Sequence, residues 1–172
     1  AGFGFIEIFE NDLVTSKNTP ETIATMISDA GLEIIVYQPF RDFEGLTGRL
    51  RAKAFDRAER KFDLMARLDT DLLMVCSSVH PQATPGISRI ANDLNELADR
   101  AVQRNMRVAY EALGWSHIIS DYRDSWEVVR RANHPALGLC LDTFHIYSRQ
   151  TEIDSVANIP GEKIFLVQIA DA

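Results

Sequence analysis

The sequence predicts an α/β protein with a parallel sheet, organised as about six βα units of a (β/α)8 barrel. Two observations predict this fold. Short apolar runs alternate along the chain with longer segments of helical periodicity, and strict strand–helix alternation is typical of parallel sheets. Three of the apolar runs also end in polar residues, as strands do at the edge where parallel barrels build their sites.

The first half of the chain contains three predicted strands and two predicted helices. Thr19 and Pro20, a capping hydroxyl followed by proline, predict the start of a helix that Gly31 ends. An apolar stripe at spacings of three, four and three predicts a second, longer helix over residues 49–68. The strands are predicted at residues 3–9, 32–37 and 71–76, a polar loop at 10–12, and the helical stripe is Phe55, Ala58, Phe62 and Met65.

The second half repeats the alternation. Pro85 and Gly86 precede a helix, and Asp124 with Glu127 three residues later predicts a capping box for another helix through residue 131. Six strands are two fewer than a closed barrel requires, so we expect a single, partial barrel domain over residues 1–172. The further strands are predicted at 107–111, 136–142 and 164–168, a weak helix at 153–159, and the first helical stripe is Ile90, Leu94, Leu97 and Ala101.

Composition and charge narrow the classes of function. Hydrophobic residues make up 46% of the 172 residues and charged residues 25%, as in ordinary globular proteins. A net charge of −7 without a basic cluster argues against nucleic-acid binding. We recognise no apolar run near the ~20 residues of a membrane span and no secretory signal, and we expect Cys76 and Cys140 to be reduced core residues. We therefore expect a cytoplasmic protein without membrane partners, and homo-oligomerisation is left open.

Polar side chains end three successive predicted strands. Glu111 ends the fourth strand, Asp142 the fifth and Gln168 the sixth. Because the carboxyl ends of parallel strands meet at one edge, we expect their oxygens to lie within about 3–5 Å of a common point, given cation–oxygen distances near ~2.0–2.6 Å. Carboxylate and amide oxygens suit a hard cation, so Mg²⁺ or Mn²⁺ is the expected cofactor. The alternative is that each polar residue merely ends its strand near solvent.

Three further residues are candidates for substrate chemistry. His145 follows Asp142 by three residues and is a candidate acid or base, since the unperturbed imidazole pKa is near ~6.5. Arg41 and His80 lie in loops that leave strands at the same edge. Either could bind an anionic substrate, the arginine by a bidentate hydrogen bond to a carboxylate. A packed histidine and solvated loop charges are the alternatives. We thus expect a small anionic substrate.

Six motifs, in order along the chain, carry a resemblance to a known family. The sequence resembles bacterial 3-dehydroshikimate dehydratase of the xylose-isomerase-like TIM-barrel superfamily, which is often fused to a 4-hydroxyphenylpyruvate-dioxygenase-like domain. Individually the motifs are weak, and together they are fairly specific. They are Glu-Ile-Phe-Glu-Asn-Asp-Leu at 7–13, Tyr-Gln-Pro-Phe-Arg-Asp-Phe-Glu-Gly at 37–45, Arg-Lys-Phe-Asp-Leu-Met at 60–65, Tyr-Glu-Ala-Leu at 110–113, Asp-Thr-Phe-His at 142–145 and Val-Gln-Ile-Ala-Asp-Ala at 167–172.

The resemblance implies a metal-dependent lyase that removes water from 3-dehydroshikimate to give protocatechuate. It implies a divalent metal held by Glu111, Asp142 and Gln168, with His145 near the substrate as acid or base. In the family, a first strand would precede this chain and an eighth strand carrying a fourth, glutamate ligand would follow it. We therefore expect an internal portion of the domain, with a dioxygenase-like domain C-terminal to it in the full-length protein.

Two other functions remain open. A hydroxypyruvate-isomerase-like or ketose-epimerase-like enzyme of the same superfamily would have a similar metal site. Those branches commonly follow the strand-end glutamate with proline and asparagine, whereas Glu111 is followed by Ala112 and Leu113, which favours the dehydratase. A catalytically inactive barrel fragment is the alternative from another class. The missing strands favour it and the intact ligand residues argue against it, and a metal titration separates it from the enzymes.

Overall fold

Six strands form one sheet whose order follows the chain. The computed structural model describes residues 2–171. Ala1 and Ala172, the two ends of the predicted domain, therefore lie outside the described residues, and Ala172 is also the last residue of the sixth motif. Each strand pairs in parallel with the next one along the sequence, which confirms the expected parallel α/β architecture. The strands are β1 (Phe5–Phe9), β2 (Glu33–Phe40), β3 (Leu72–Cys76), β4 (Arg107–Glu111), β5 (Leu137–Asp142) and β6 (Ile164–Gln168).

Helices connect successive strands. The Thr19 hydroxyl accepts a hydrogen bond from the Thr22 backbone N–H at 3.3 Å, so the predicted cap of α2 is confirmed. In residues 2–171, no helix combines the length and the apolar character that crossing a bilayer requires. The helices are α1 (Glu10–Thr15), α2 (Pro20–Asp29), α3 (Gly48–Leu68), α4 (Ile87–Val102), α5 (Tyr122–Ala132) and α6 (Thr143–Ser148), with 3-10 turns at Asp154–Asn158 and Gly161–Lys163.

Helices cover the outer face of the sheet, and apolar side chains also line much of its inner face, so most strands are apolar on both sides. A large cluster between the sheet and the helices contains the predicted stripes of α3 and α4, all of them buried. A smaller cluster uses the alternate strand positions, which point to the inner, concave side of the sheet. The inner cluster consists of Val36, Leu72, Met74, Cys76, Ala109, Leu113, Cys140 and Leu166.

The predicted polar loop at residues 10–12 is wrong, because these residues begin helix α1. The Asp12 carboxylate accepts a hydrogen bond from the Phe9 backbone N–H at 3.1 Å, which satisfies a free donor at the helix start. The helix has no buried residue and therefore lacks the apolar periodicity that predicts a helix. Strand β2 also continues to Phe40, which is buried and lies opposite Val75 of β3.

The predicted cap of α5 is also wrong. The helix begins at Tyr122, and Asp121 is the cap, its carboxylate accepting from the Arg123 backbone N–H at 2.9 Å. Asp124 lies within the first helical turn instead. The short helix α6 was not predicted, and it directly follows β5 because Asp142 ends the strand and caps the helix at once. Its position places His145 above the carboxyl edge of the sheet.

Candidate metal centre

A cavity of about 510 Å³ lies at the carboxyl edge of the sheet, over the inner cluster. Its walls come from the ends of all six strands and from the loops that follow them. The polar residues that line it are Glu7, Gln38, Arg41, Glu111, Asp142, His145 and Gln168. Parallel barrels build their sites at this edge, so the cavity is the candidate functional site.

Glu111 ends β4 and is the most buried carboxylate of the cavity lining, with an exposed fraction of 3%. The Cys76 thiol donates to its Oε2 at 3.0 Å. Burial raises the pKa of Glu111 to about 7; the Cys76 hydrogen bond lowers it, and the Asp142 and Glu7 carboxylates raise it. A carboxylate so weakly compensated gains from a nearby cation, because an ion in a poorly solvated site is stabilised mainly by its partners.

Asp142 is the last residue of β5 and the N-cap of α6. Its Oδ1 accepts a hydrogen bond from the Phe144 backbone N–H at 2.8 Å, which caps the helix. Its Oδ2 lies 3.8 Å from Nε2 of His145. One oxygen is thus occupied by the backbone and the other faces the cavity. The cap fixes the direction in which the free oxygen points.

His145 lies between the two carboxylates. Its Nε2 is 3.8 Å from Oε1 of Glu111 and from Oδ2 of Asp142, and one donor atom from each of these three residues lies within 4.8 Å of the others. Burial lowers the pKa of His145 below its usual 6.5, while the Asp142 charge acts in the opposite direction. Its Nδ1 accepts from the Gly114 backbone N–H at 3.3 Å. The neutral ring therefore carries its hydrogen on Nε2, facing the carboxylates, and in this tautomer offers no lone pair to a cation.

Gln168 ends β6 directly opposite Asp142 in the sheet register. Its Oε1 lies 3.6 Å from the Cys140 sulfur, and the same sulfur is 4.0 Å from Oε1 of Glu111. The structure thus brings Glu111, Asp142 and Gln168 to one cavity, with His145 between the carboxylates. Their assignment as metal ligands stays a prediction.

The two residues predicted to bind substrate differ in position. Arg41 is exposed, lines the cavity, and its charge lowers the pKa of Glu111. His80 does not line the cavity in the described part of the chain, and its Nδ1 accepts from the backbone N–H of Gln82 at 3.1 Å. The cavity therefore contains one of the two predicted anion-binding groups.

Sequence reasoning did not identify Glu7 as a residue of the site. Its carboxylate lines the cavity from β1 and accepts hydrogen bonds from the side-chain amides of Gln38 and Gln168. The available signal was its place in an otherwise apolar strand, between Ile6 and Ile8. Because side chains alternate along a strand, a carboxylate between two apolar residues points to the opposite face from both. A carboxylate in such apolar surroundings needs a hydrogen-bond donor or a cation as its partner.

The donor set fits a hard divalent cation. Carboxylate oxygens of Glu111 and Asp142 and the amide oxygen of Gln168 are the ligand types that Mg²⁺ and Mn²⁺ prefer. The two thiols beside Glu111 occupy the strand positions next to it on either side. Burial raises the pKa of both Cys76 and Cys140 well above the usual range, so they are neutral thiols and poor ligands.

Comparison with known proteins places the chain in a family. The sequence matches the family described as xylose isomerase-like TIM barrel over residues 1–172. It is 47% identical over 172 residues to the 3-dehydroshikimate dehydratase of Pseudomonas aeruginosa; the match covers 100% of this chain and 27% of that protein. The chain thus spans about a quarter of the length of this relative.

Two solved structures share the fold. A xylose isomerase-like TIM barrel/4-hydroxyphenylpyruvate dioxygenase fusion protein superposes with a TM-score of 0.97 at 46% identity, covering 99% of this chain and 28% of that one. The IOLI protein with a binding zinc atom superposes with a TM-score of 0.87 at 20% identity, covering 99% and 64%. With six parallel strands in barrel order and a family match over its whole length, the chain belongs to the xylose isomerase-like TIM-barrel family.

Proposed function

We propose that this chain is part of a metal-dependent 3-dehydroshikimate dehydratase, a lyase that removes water from 3-dehydroshikimate to give protocatechuate. The observation that carries the proposal is the 47% identity to a protein of that name across all 172 residues. The cavity adds chemical support, because it collects two carboxylates, an amide and a buried imidazole at one edge of the sheet. An isomerase of the same superfamily would need a similar cavity, so product analysis separates the two.

Glu111, Asp142 and Gln168 would hold the cation. When bound, a divalent cation at this place supplies Lewis-acid polarisation of the substrate carbonyl. Mg²⁺ or Mn²⁺ suits the oxygen donors best. Because the IOLI protein binds a zinc atom, Zn²⁺ is also included in the test described below. The backbone hydrogen bond to Asp142 leaves its second oxygen for this purpose. The Cys76 thiol occupies one oxygen of Glu111. The other oxygen has Nε2 of His145 at 3.8 Å and the Cys140 sulfur at 4.0 Å nearby.

His145 is the hydrogen-bond and proton donor of the proposal. The Gly114 N–H holds Nδ1, so Nε2–H points at the polar side of the cavity. Burial lowers the pKa of the ring and so favours its neutral form. A neutral imidazole can donate a hydrogen bond to a substrate oxygen that gains negative charge without carrying a full charge itself. Trp115 and Phe144 pack edge-on against the ring at centroid distances of 4.8 and 5.3 Å, which fixes its orientation.

Arg41 would bind the substrate carboxylate. It is the cationic side chain of the cavity lining and is exposed at its rim. A guanidinium offers two parallel N–H donors to a carboxylate, a geometry that a lysine does not provide. The expected ligand is therefore a small anion whose carboxylate meets the rim while its carbonyl lies deeper, near Glu111 and Asp142.

The proposal extends to the full-length protein. The dioxygenase fusion protein among the solved structures supports a dioxygenase-like domain C-terminal to this one. The residues that complete the barrel and the fourth ligand implied by the resemblance would come from outside this chain. We propose that the dehydratase chemistry belongs to the barrel domain alone, because every polar group assigned above lies within one cavity of the barrel.

The test is direct. The full-length protein is stripped with a chelator and incubated with 3-dehydroshikimate, with and without added Mg²⁺, Mn²⁺ or Zn²⁺, while the ultraviolet absorbance of an aromatic product is followed. We expect product only after metal is restored. Conversion that continues in the chelator would refute the metal-dependent mechanism. An absence of aromatic product with every metal, while a hydroxypyruvate or ketose substrate is isomerised, would instead identify the isomerase.

A further inference from the structure

We infer that Glu7 is a positioning residue, which orients the side-chain amide of Gln168 so that its oxygen points into the metal centre. The inference deepens the proposed function and rests on it. Glu7 lies on β1, the first strand of the sheet, and Gln168 lies on β6, the last one. The Gln168 Nε2 donates to Oε2 of Glu7 at 2.7 Å, across 161 positions of sequence.

The contact exists because the sheet is curled. In a flat six-stranded sheet, the first and last strands would be separated by about five strand spacings of ~4.8 Å each. Here their inner side chains meet at hydrogen-bond distance above the inner cluster. The carboxylate of Glu7 therefore joins the two ends of the sheet at the edge where the site lies.

The chemistry of the pair fixes which end of the amide faces the site. An ionised carboxylate accepts hydrogen bonds and cannot donate them, whereas a primary amide has one accepting and one donating end. Of the two ends of the Gln168 amide, only the NH₂ group can therefore pair with Glu7. The amide oxygen is turned away from Glu7, toward the sulfur of Cys140, which also neighbours Oε1 of Glu111.

A second amide fixes Glu7 itself. Gln38, which is 7% exposed, donates from Nε2 to the same carboxylate oxygen. Gln38 lies on β2 next to Phe9 of β1, so its amide comes from the neighbouring strand on the other side from Gln168. The Glu7 carboxylate is held by hydrogen-bond donors from both sides, which restricts its orientation. Outer partners of this kind hold metal ligands in the direction that coordination needs.

The competing explanation is electrostatic. A carboxylate near the cavity would favour a cation through its charge alone, whatever the orientation of Gln168. The two explanations separate when charge and reach are changed independently. Glu7→Gln removes the charge and keeps an oxygen at the same distance, with its own NH₂ free to face solvent because Glu7 is only partly buried. Glu7→Asp keeps the charge and withdraws the oxygens by one methylene.

The experiment measures Mn²⁺ affinity by electron paramagnetic resonance in the full-length protein without substrate. We expect Glu7→Asp to lose ~10–100-fold in affinity, as outer partners of metal ligands typically do, and Glu7→Gln to stay within about threefold of the wild type. Glu33→Gln makes the same change at an exposed position on the opposite edge of the sheet and should have no effect. In the Gln168→Ala background, Glu7→Asp should cause no further loss, because Glu7 acts through Gln168.

Each outcome decides the matter. If Glu7→Gln weakens Mn²⁺ binding while Glu7→Asp keeps the affinity of the wild type, the charge of Glu7 is what matters. That result overturns the inference. Additive losses in the double variant overturn it as well. If the wild type binds neither Mn²⁺ nor Mg²⁺, the proposed metal function fails first and the inference fails with it. Wild-type binding combined with insensitivity to both Glu7 variants overturns the inference alone.

Discussion

Glu44 is a fully buried carboxylate outside the candidate metal centre, and we expect it to make the stability of this domain depend on pH. It lies in the segment after β2, where Oε1 accepts hydrogen bonds from the Ser78 backbone N–H at 2.6 Å and the Tyr110 hydroxyl at 2.9 Å. Its other oxygen has no hydrogen-bond partner among the described residues. Burial raises the pKa of Glu44 from 4.5 to about 7, against the opposing effect of these hydrogen bonds, and the charge of Asp93 raises it further.

The sign and size of the effect follow from linkage. The pKa is higher in the folded state than in the unfolded one, so the stabilisation is complete below pH 4.5 and is lost as the pH rises to about 7. Each pH unit between the two values is worth about 1.4 kcal/mol, so ionising Glu44 in place costs about 3 kcal/mol. That is a substantial part of the 5–15 kcal/mol typical of a whole domain.

Glu44→Gln tests this value. The amide keeps an oxygen for Ser78 and Tyr110 and cannot ionise, so we expect the variant to be more stable than the wild type by about 2–3 kcal/mol at pH 8 and similar to it at pH 5. Hydrogen exchange read by mass spectrometry on peptides of β3 and β4 reports this domain within the full-length protein. Glu33→Gln is the matched control. Parallel pH dependence in Glu44→Gln and wild type would refute the reasoning.

Three further substitutions test the site and the packing of β5. Asp142→Ala should abolish Mn²⁺ binding and turnover while the domain stays folded, since relief of repulsion with Glu111 offsets a lost helix cap worth ~1 kcal/mol; retained activity would contradict the ligand assignment. His145→Ala should lower kcat by ~10²–10⁴-fold with metal affinity nearly intact, measured on the same protein by single turnover and calorimetry; a joint loss would make His145 a ligand. Gly138→Ala would place a Cβ 2.6 Å from the Phe165 ring and 2.8 Å from the Lys163 carbonyl oxygen, so we expect a loss of about 1–3 kcal/mol in thermal unfolding; an unchanged melting temperature would contradict the contact.

The sequence was sufficient for the parts of the fold that depend on local pattern. Apolar runs that alternate with helical stripes predict a parallel sheet, and parallel strands end at a common edge, so Glu111 and Asp142 could be predicted to share a cavity. The same reasoning placed Gln168 beside them, since β5 and β6 run in parallel and Asp142 faces Gln168 in register. These predictions needed no knowledge of distant contacts.

Short helices were harder to predict because six residues hold too little periodicity. The sequence does not predict helix α6, which carries His145, and it predicts a loop in place of helix α1, none of whose residues is buried. The start of α5 failed for another reason. Asp121 and Asp124 are both good capping residues, and the choice between them depends on the backbone entering the helix, which the sequence does not specify.

The role of Glu7 required a contact that no local pattern contains. Strand alternation places Glu7 and Phe9 on the inner face of β1 and Ile8 on the outer one, as the cavity and the large core cluster show. Alternation does not say which strand faces that inner side across the cavity, because this depends on how far the sheet curls. Once the sheet curls enough for the inner side chains of β1 and β6 to meet, a carboxylate on one strand and an amide on the other become partners. In a curled sheet, a lone acidic residue on the inner face of the first strand is therefore best tested against the polar ends of the last one.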